Sequence, residues 1–215
     1  MSRLCRTIPV FALLAALGAT EASAQMAQSD DFRWFVGGQA GAFVYRTPMQ
    51  TRGGILLAGG HTLITARRGG LYIAVEEAIG DDQQSSYNDP TAPGGVRTVT
   101  FNDVRRYTFG LMAFPWRGSV SPFIGVGGGI MHVVSPKSGG VDDPVANELG
   151  STGFGALMGG LNFRAGGVSA FGHYQIQTIP GFKTAGAASG RLINGTVHSV
   201  TGGVRISLGP SREDM

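Results

Sequence analysis

Serine and histidine side chains are the first candidates for chemistry, because together they can supply a nucleophile and its general base. His132 and Ser135 lie three positions apart, which places them on opposite faces of an extended chain. Ser169 and His173 share a face, but they are about 13 Å apart along a strand. Neither pair predicts a catalytic site.

His173 has a simpler interpretation. If the segments around 173 and 200 are neighbouring strands, its ring could approach Thr201 or Ser199. A buried histidine that bonds to a hydroxyl is a common structural arrangement and requires no reaction. We therefore predict no catalytic residue and no enzyme, with a lipid-modifying enzyme as the alternative that His173 leaves open.

The sequence predicts no cofactor and no metal site. Residues 125–129 are rich in glycine, but no lysine follows and no helix begins there, so a phosphate-binding loop is not indicated. Small residues on a curved strand explain this stretch better. Asp81 and Asp82, like Asp142 and Asp143, are adjacent and lack the spaced ligands of a calcium loop.

Four charged residues could form ion pairs inside the folded chain. Glu76 and Glu77 belong to one predicted strand, and Arg105 and Arg106 belong to the next. Antiparallel pairing of these strands would bring a glutamate beside an arginine near the outer rim of a barrel. Because a buried charge must be paired, we predict that one such ion pair lies in the lumen.

The segments that carry these side chains alternate like β-strands. The clearest is 196–208, where successive residues fall on an apolar and a polar face. In a soluble sheet the apolar face would be buried, whereas in a membrane barrel it faces lipid and the polar face lines the lumen. The apolar face consists of Val200, Gly202, Val204, Ile206 and Leu208, and the polar face of Ser199, Thr201, Gly203, Arg205 and Ser207.

Eight segments alternate in this way, and short turns and longer polar loops connect them in turn. Up-and-down membrane barrels have this alternation of connections, with short turns on one side of the membrane and longer loops on the other. We therefore predict an all-β fold, an eight-stranded antiparallel up-and-down transmembrane barrel. The predicted strands are 33–45, 54–65, 70–80, 103–114, 120–134, 150–163, 168–179 and 196–208, and the predicted loops are 81–102, 135–148 and 180–195.

Aromatic residues cluster near the predicted strand ends, where the boundary between membrane and water favours them. We expect them to form two belts on the outer surface. One belt would contain Trp34, Phe35, Tyr72, Phe114, Trp116, Phe163 and Phe171, and the other Tyr45, Phe101, Tyr107, Phe154 and Phe182.

The N-terminal residues have the pattern of a secretory signal. Arg3 and Arg6 precede an apolar run at 8–19 that is too short to span a bilayer as a helix, and small residues at 22–24 form a cleavage pattern. Cys5 is the only cysteine, so the mature chain would have no thiol. We predict a signal peptide at 1–24 cut near Ala24, a polar leader at 25–32, a barrel at 33–208 and a C-terminal tail at 209–215.

Composition narrows the class of protein. The 215 residues carry a formal net charge of only +3, which gives no reason to expect nucleic acid as a partner. The 36 glycines have no Gly-X-Y period, which excludes collagen. No apolar run beyond the signal is long enough for a transmembrane helix, so strands are the elements that could enter a membrane.

These features resemble the small eight-stranded outer-membrane barrels of Gram-negative bacteria, the OmpA-type and OmpX-type barrels. The resemblance covers nearly all of the predicted barrel. Its most specific part is similar to the C-terminal signal for barrel assembly, and comprises Thr201, Gly203, Val204, Ile206 and Leu208. Leu208 stands where an aromatic residue is usual, and a tail follows it. The resemblance implies an outer-membrane location, contact with outer-membrane lipid, and insertion by the barrel-assembly machinery.

The width of an eight-stranded barrel just suffices for side chains to fill it, so the polar face should form a packed lumen. We predict a structural polar network there, made of Gln39, His61, Glu76, Arg106, His173, Gln175 and Arg205. The expected function is a structural or surface-interaction role through the loops, which would contact an extracellular ligand. The alternative is a soluble, exported, lipocalin-like barrel that binds an apolar ligand, which requires the apolar face to point inward.

Overall fold

The computed structural model describes residues 32–208. The predicted signal peptide at 1–24, the predicted leader except for Phe32, and the predicted tail at 209–215 lie outside the described residues. Within the described range, no helix is long and apolar enough to cross a membrane.

Eight long antiparallel strands form the fold, and each pairs with the strand before it and the strand after it. The last strand pairs with the first, with Val200 opposite Ala42 and Ile206 opposite Val36, so the sheet closes into a barrel. The predicted fold class is thus confirmed. The strands are β1 (Arg33–Arg46), β2 (Thr51–Ala66), β3 (Gly69–Asn88), β4 (Val96–Ala113), β5 (Val120–Val133), β6 (Ser151–Ala165), β7 (Val168–Thr178) and β8 (Asn194–Ser207).

Alternation along each strand places apolar side chains outside and polar ones inside. In β8, Val200 and Val204 are 60% and 53% exposed, whereas Thr201 and Arg205 are each 2% exposed. Other exposed apolar residues on the strands include Leu56, Phe109, Leu111, Ile124, Val126, Ile130 and Leu157. The apolar face therefore points away from the interior, which is the arrangement of a barrel surrounded by lipid.

Tight turns connect the strands at one end of the barrel, which we call the inner end. The β2–β3 and β6–β7 turns consist of two residues each, 67–68 and 166–167. Arg67 and Gly166 have φ of 47° and 59°, the left-handed conformation that such hairpins require. The opposite, outer end carries the connections 47–50, 89–95, 134–150 and 179–193.

The segment 81–102 was predicted to be a solvent loop, and this prediction is wrong. β3 continues to Asn88 and β4 begins at Val96, so the two strands form a hairpin that extends beyond the outer end. Gln83, Ser85 and Tyr87 are buried at alternate positions because other outer segments cover them. Short polar side chains are typical of loops, but they also fill a strand face that the rest of the chain encloses.

The other two predicted loops also contain regular structure. Segment 135–148 holds a short ribbon and the start of helix α1 (Pro144–Gly150), which the Asp143 side chain caps by accepting from the amide of Ala146 at 3.0 Å. Segment 180–195 holds a second ribbon. The ribbons pair Lys137–Ser138 with Val141–Asp142 and Thr184–Ala185 with Ala188–Ser189.

These outer segments pack together over the end of the barrel, and we call residues 83–101, 134–150 and 179–193 the cap. Leu149 of α1 and Leu192 are at most 1% exposed, and both belong to the same hydrophobic cluster as Tyr87 and Phe101. The hydroxyl of Ser85 donates to the Leu192 carbonyl at 2.8 Å. The cap therefore closes the outer end of the lumen with apolar packing.

The aromatic belts are only partly as predicted. Trp34, Trp116, Phe163, Tyr107 and Phe182 are between 43% and 67% exposed. The other predicted members point into the interior, and they are Phe35, Tyr72, Phe114, Phe171, Tyr45, Phe101 and Phe154. Their positions along the strands have inward parity, and an aromatic ring fills the narrow lumen as well as it suits a membrane boundary.

Glycines on β5 allow close contact between strands. A Cβ atom at Gly127 would lie 2.2 Å from the Phe109 carbonyl oxygen, and one at Gly129 would lie 1.9 Å from that of Tyr107. Such distances exclude any side chain without a shift of the backbone. The glycine-rich stretch is therefore part of a curved strand, which continues to Val133.

Candidate functional site

The structure places all seven residues of the predicted polar network in the lumen. Gln39, His61, Glu76, Arg106, His173, Gln175 and Arg205 are each at most 6% exposed. Two hydrophobic clusters fill much of the remaining interior. The inner cluster includes Phe35, Leu63, Tyr72, Phe114 and Phe123, and the outer cluster includes Phe43, Tyr45, Phe101, Met131 and Leu192.

A chain of hydrogen bonds links the two clusters through the predicted ion pair. Tyr72 Oη donates to Gln39 Oε1 at 2.9 Å, and Gln39 Nε2 donates to Glu76 Oε1 at 2.7 Å. Arg106 donates from Nε to Glu76 Oε2 at 2.8 Å and from Nη1 to Ser199 Oγ at 3.1 Å. The guanidinium carbon of Arg106 lies 5.5 Å from the Phe43 ring centroid. The charges of Glu76 and Arg106 are thus compensated in the interior.

Both predicted kinds of glutamate–arginine pair occur, one on each face of the two strands. Glu76 and Arg106 lie between the two clusters inside the lumen, and Arg106 is opposite Met131 near the end of β5. The neighbouring pair, Glu77 and Arg105, points outward, with Oε1 and Nη2 separated by 3.0 Å and the side chains 35% and 41% exposed. Adjacent residues of a strand face opposite sides of the sheet. The same register of β3 against β4 therefore places one pair in the lumen and the other on the outward face.

The two lumen histidines differ in their bonding. His173 lies opposite Thr201, and its Nε2 is 3.0 Å from the Thr201 hydroxyl. His61 packs edge-on against Phe171, with ring centroids 4.9 Å apart, and neither ring nitrogen has a hydrogen-bond partner among the described residues. Its surroundings are therefore aromatic, and nothing in them suggests a catalytic base.

The residues of the predicted assembly signal alternate along β8. Thr201 is buried and Gly203 also has inward parity, whereas Val204, Ile206 and Leu208 are 52–59% exposed. At Gly203 a Cβ atom would lie 2.2 Å from the Gly38 carbonyl oxygen of β1. Glycine at 203 is thus required where the last strand closes the barrel against the first.

The cap contains a groove among its three segments. Its volume is about 480 Å³, within the range of small-ligand sites. The hairpin extension contributes Tyr87, Asp89 and Arg97, segment 138–145 contributes Asp142 and Asp143, and the 185–188 ribbon closes the third side. Three carboxylates and one guanidinium therefore line a groove that three separate chain segments build.

Hydrogen bonds hold the groove's polar side chains in place. Asp89 accepts from the hydroxyl and the amide of Thr91 at 2.7 and 2.9 Å, and from Arg97 Nε at 2.5 Å. Thr91 and then Arg97 lower the pKa of Asp89 from 3.8 to about 2. Asp143 accepts from Tyr87 Oη at 2.8 Å, and burial followed by this bond raises the pKa of Tyr87 above its ordinary value. The groove therefore keeps Asp89 charged and Tyr87 neutral across the physiological range.

A serine–histidine contact exists that the sequence analysis did not find. His132 Nδ1 lies 2.6 Å from Ser151 Oγ at the outer end of the barrel, where β5 and β6 pair and both side chains are half-buried. His132 has no carboxylate partner among the described residues. Spacing along one strand could not reveal this contact, because it depends on the register of two strands joined by a long connection.

No group of three or more potential metal ligands occurs in the part of the chain that the structure describes. The sequence did not predict the groove, because the polar residues of the hairpin extension are typical of a loop. Gln83, Ser85 and Tyr87 occupy alternate positions, and this spacing was the sequence feature that indicates a strand there.

Comparison with known proteins adds to the fold assignment. No family model matches the sequence, and no curated protein matches it either. Among solved structures, Neisserial surface protein A superposes with a TM-score of 0.56 at 11% identity, over 80% of this chain and 96% of that one. Ail, the attachment invasion locus protein of Yersinia pestis, matches with a TM-score of 0.45 at 10% identity, over 84% of this chain and all of that one. The superposition on Neisserial surface protein A shows that the two chains share this barrel fold.

Proposed function

We propose that this protein resides in the bacterial outer membrane and that its cap contacts a ligand or partner outside the cell. The observation that carries the proposal is the inverted distribution of side chains, with Val200, Val204 and Leu111 outside and Arg106 and Arg205 inside. Apolar strand faces that surround a polar, packed lumen suit lipid and not water. The cap groove is then a recess of ligand size that carries charged side chains and is available for recognition.

The proposal includes the route to the membrane. The signal at 1–24 would direct export, with cleavage near Ala24. The barrel-assembly machinery would then recognise β8 through Thr201, Gly203, Val204, Ile206 and Leu208. Insertion would leave the tight turns at the inner end in the periplasm and the cap at the cell surface.

The function that this arrangement supports is surface interaction without catalysis. The groove carries Asp89, Asp142 and Asp143 against Arg97, which favours a cationic or hydroxyl-rich ligand over an anionic one. Its walls belong to the packed cap, so a ligand would meet a preformed surface. The soluble lipocalin-like alternative requires Val204 and Ile206 to face inward, but both are more than half exposed.

Cysteine labelling in intact cells tests location and orientation together. Cys5 is the only cysteine and lies in the predicted signal peptide, so a single introduced cysteine is the reporter. Val141→Cys places it on the cap, where Val141 is 71% exposed, and Arg68→Cys places it in an inner turn. A membrane-impermeant maleimide should label the Val141 variant in intact cells and the Arg68 variant only after lysis.

Membrane fractionation and gel mobility complete this test. The protein should remain with the outer membrane until detergent is added, and it should migrate differently with and without boiling. Recovery in the periplasm or medium without detergent, or equal labelling of the two cysteines in intact cells, would contradict the proposal.

One contact favours a second candidate function, a lipid acyl hydrolase. His132 and Ser151 are 2.6 Å apart on the outward side at the outer end, where a lipid ester could reach them. A fluorophosphonate probe tests this, since it labels an activated serine covalently. Labelling that Ser151→Ala removes and Ser135→Ala retains would establish the hydrolase, and absence of labelling would leave surface interaction as the function.

A further inference from the structure

Arg205 is an interior charge that lacks a carboxylate partner among the described residues. Its Nη2 donates to Asn162 Oδ1 at 3.1 Å, and its guanidinium carbon lies 4.3 Å from the Phe171 ring centroid. Nη1 makes no hydrogen bond to any described residue, although Arg205 is only 2% exposed. A buried positive charge without a negative counterpart is strongly destabilising.

The buried carboxylate of the lumen is already engaged elsewhere. Glu76 accepts from Gln39 through Oε1 and from Arg106 through Oε2. Together Glu76 and Arg106 are neutral, so Arg205 leaves the lumen with an excess positive charge. Stacking on Phe171 offsets part of the cost of burying it, but a ring face supplies no counter-charge.

A small cavity lies beside Arg205 at the inner end of the barrel. Its volume is about 10 Å³, enough for roughly one water molecule or one monatomic ion. Arg117 and Arg164 also line it. Asn162 and Ser169 contribute polar groups, and the described lining residues include no aspartate or glutamate.

We propose that this cavity binds a small monovalent anion of the size of chloride. Arg205 would donate from Nη1, Asn162 from its amide nitrogen, since its oxygen already accepts from Arg205, and Ser169 from its hydroxyl. Charge-assisted hydrogen bonds of this kind are stronger than neutral ones. The anion compensates the positive charge of Arg205, since Glu76 already compensates that of Arg106. The narrow volume of the cavity excludes larger oxyanions.

The first experiment measures stability in two salts of equal ionic strength. The protein, extracted in detergent micelles, is unfolded with urea in sodium chloride and in sodium gluconate, whose anion is too large for the cavity. The unfolding midpoint should be higher in chloride for the wild type and equal in both salts for Arg205→Gln. Arg68→Gln is the matched control, because it removes one arginine from the exposed β2–β3 turn and should retain the chloride effect.

The second experiment detects the ion directly and does not require Arg205→Gln to fold. Excess broadening of the chloride-35 NMR line measures exchange with the bound site. Arg205→Lys keeps the charge but loses the second terminal nitrogen, so affinity should fall about tenfold. Inorganic phosphate should not reverse the broadening.

Three results would overturn the proposal. One is an equal wild-type midpoint in chloride and gluconate. Another is loss of the chloride effect in Arg68→Gln as well, which would indicate that the effect depends on the total positive charge and not on this site. The third is phosphate that displaces chloride at equal concentration, because the site would then be larger than the cavity allows. None of these results depends on where the protein resides in the cell.

Discussion

Glu76 and Arg106 lie directly opposite each other on β3 and β4, and each side chain is only 1% exposed. Arg106 Nη2 and Glu76 Oε2 are 2.6 Å apart. One residue further along, Glu77 and Arg105 form a second pair on the outward face. The same two strands therefore hold one buried and one half-exposed ion pair, which makes each a control for the other.

Glu76→Gln or Arg106→Gln should each lower the free energy of unfolding by about 3–5 kcal/mol, because the remaining charge would be buried without a partner. Urea unfolding in micelles, followed by gel mobility without boiling, measures this loss. Glu77→Gln should cost less than Glu76→Gln, because the side chains of its pair are 35% and 41% exposed on the outward face. Equal losses at 76 and 77 would show that burial does not govern the strength of these pairs.

The two lumen histidines should respond to leucine with opposite signs. His61→Leu removes two unpartnered nitrogens from an aromatic environment and should stabilise the barrel by about 1 kcal/mol. His173→Leu removes the contact with Thr201 and should destabilise it by about the same amount. Urea midpoints of both variants and the wild type provide the comparison. A loss of stability in His61→Leu would mean that its nitrogens are bonded.

The cap should loosen without unfolding of the barrel when its core is truncated. Leu192 is fully buried, so Leu192→Ala should cost about 2–5 kcal/mol of local stability. Hydrogen exchange should accelerate in the cap segments and stay unchanged in β8. Val141→Ala, at a 71% exposed position of the same cap, should change neither. Faster exchange throughout β8 would show that cap and barrel unfold as one unit.

Acid should release the turn at the tip of the hairpin extension. Bonds from Thr91, followed by Arg97, lower the pKa of Asp89 from 3.8 to about 2. Because the folded value is the lower one, this stabilisation is complete above about pH 4 and is lost as the pH falls through about 2. Hydrogen exchange or NMR shifts of residues 89–95 measure the transition. Asp89→Asn should remove the pH dependence, and a transition centred near pH 4 in the wild type would contradict the assignment.

The barrel should not conduct ions. The two hydrophobic clusters and the polar network between them occupy the lumen, and the cap covers its outer end. An eight-stranded barrel leaves no wider path. Planar-bilayer recordings should therefore show no unitary steps at protein concentrations where a large porin, as the control, conducts. Regular steps that scale with the amount of protein would contradict this prediction.

The sequence by itself determined the barrel, because strand alternation has a period of two and an apolar face must meet either a core or lipid. That period alone places Val204 and Arg205 on opposite faces, and the structure shows Val204 outside and Arg205 inside. The sequence also indicated that Glu76 or Glu77 meets Arg105 or Arg106, and that His173 meets Thr201 or Ser199. The strand registers of the structure then chose among these pairs.

Only the tertiary structure decided the cap, the groove and the contact of His132 with Ser151. Tyr87 and Ser85 are buried because two distant loops cover them. The local sequence pattern around 81–102 does not indicate which segments will cover it. Phe171 and Tyr72 turn inward for a similar reason: an aromatic ring suits both a membrane boundary and a packed lumen, and strand parity decides between them. Local sequence determines period and composition, whereas contacts between distant segments depend on how the closed barrel brings its loops together.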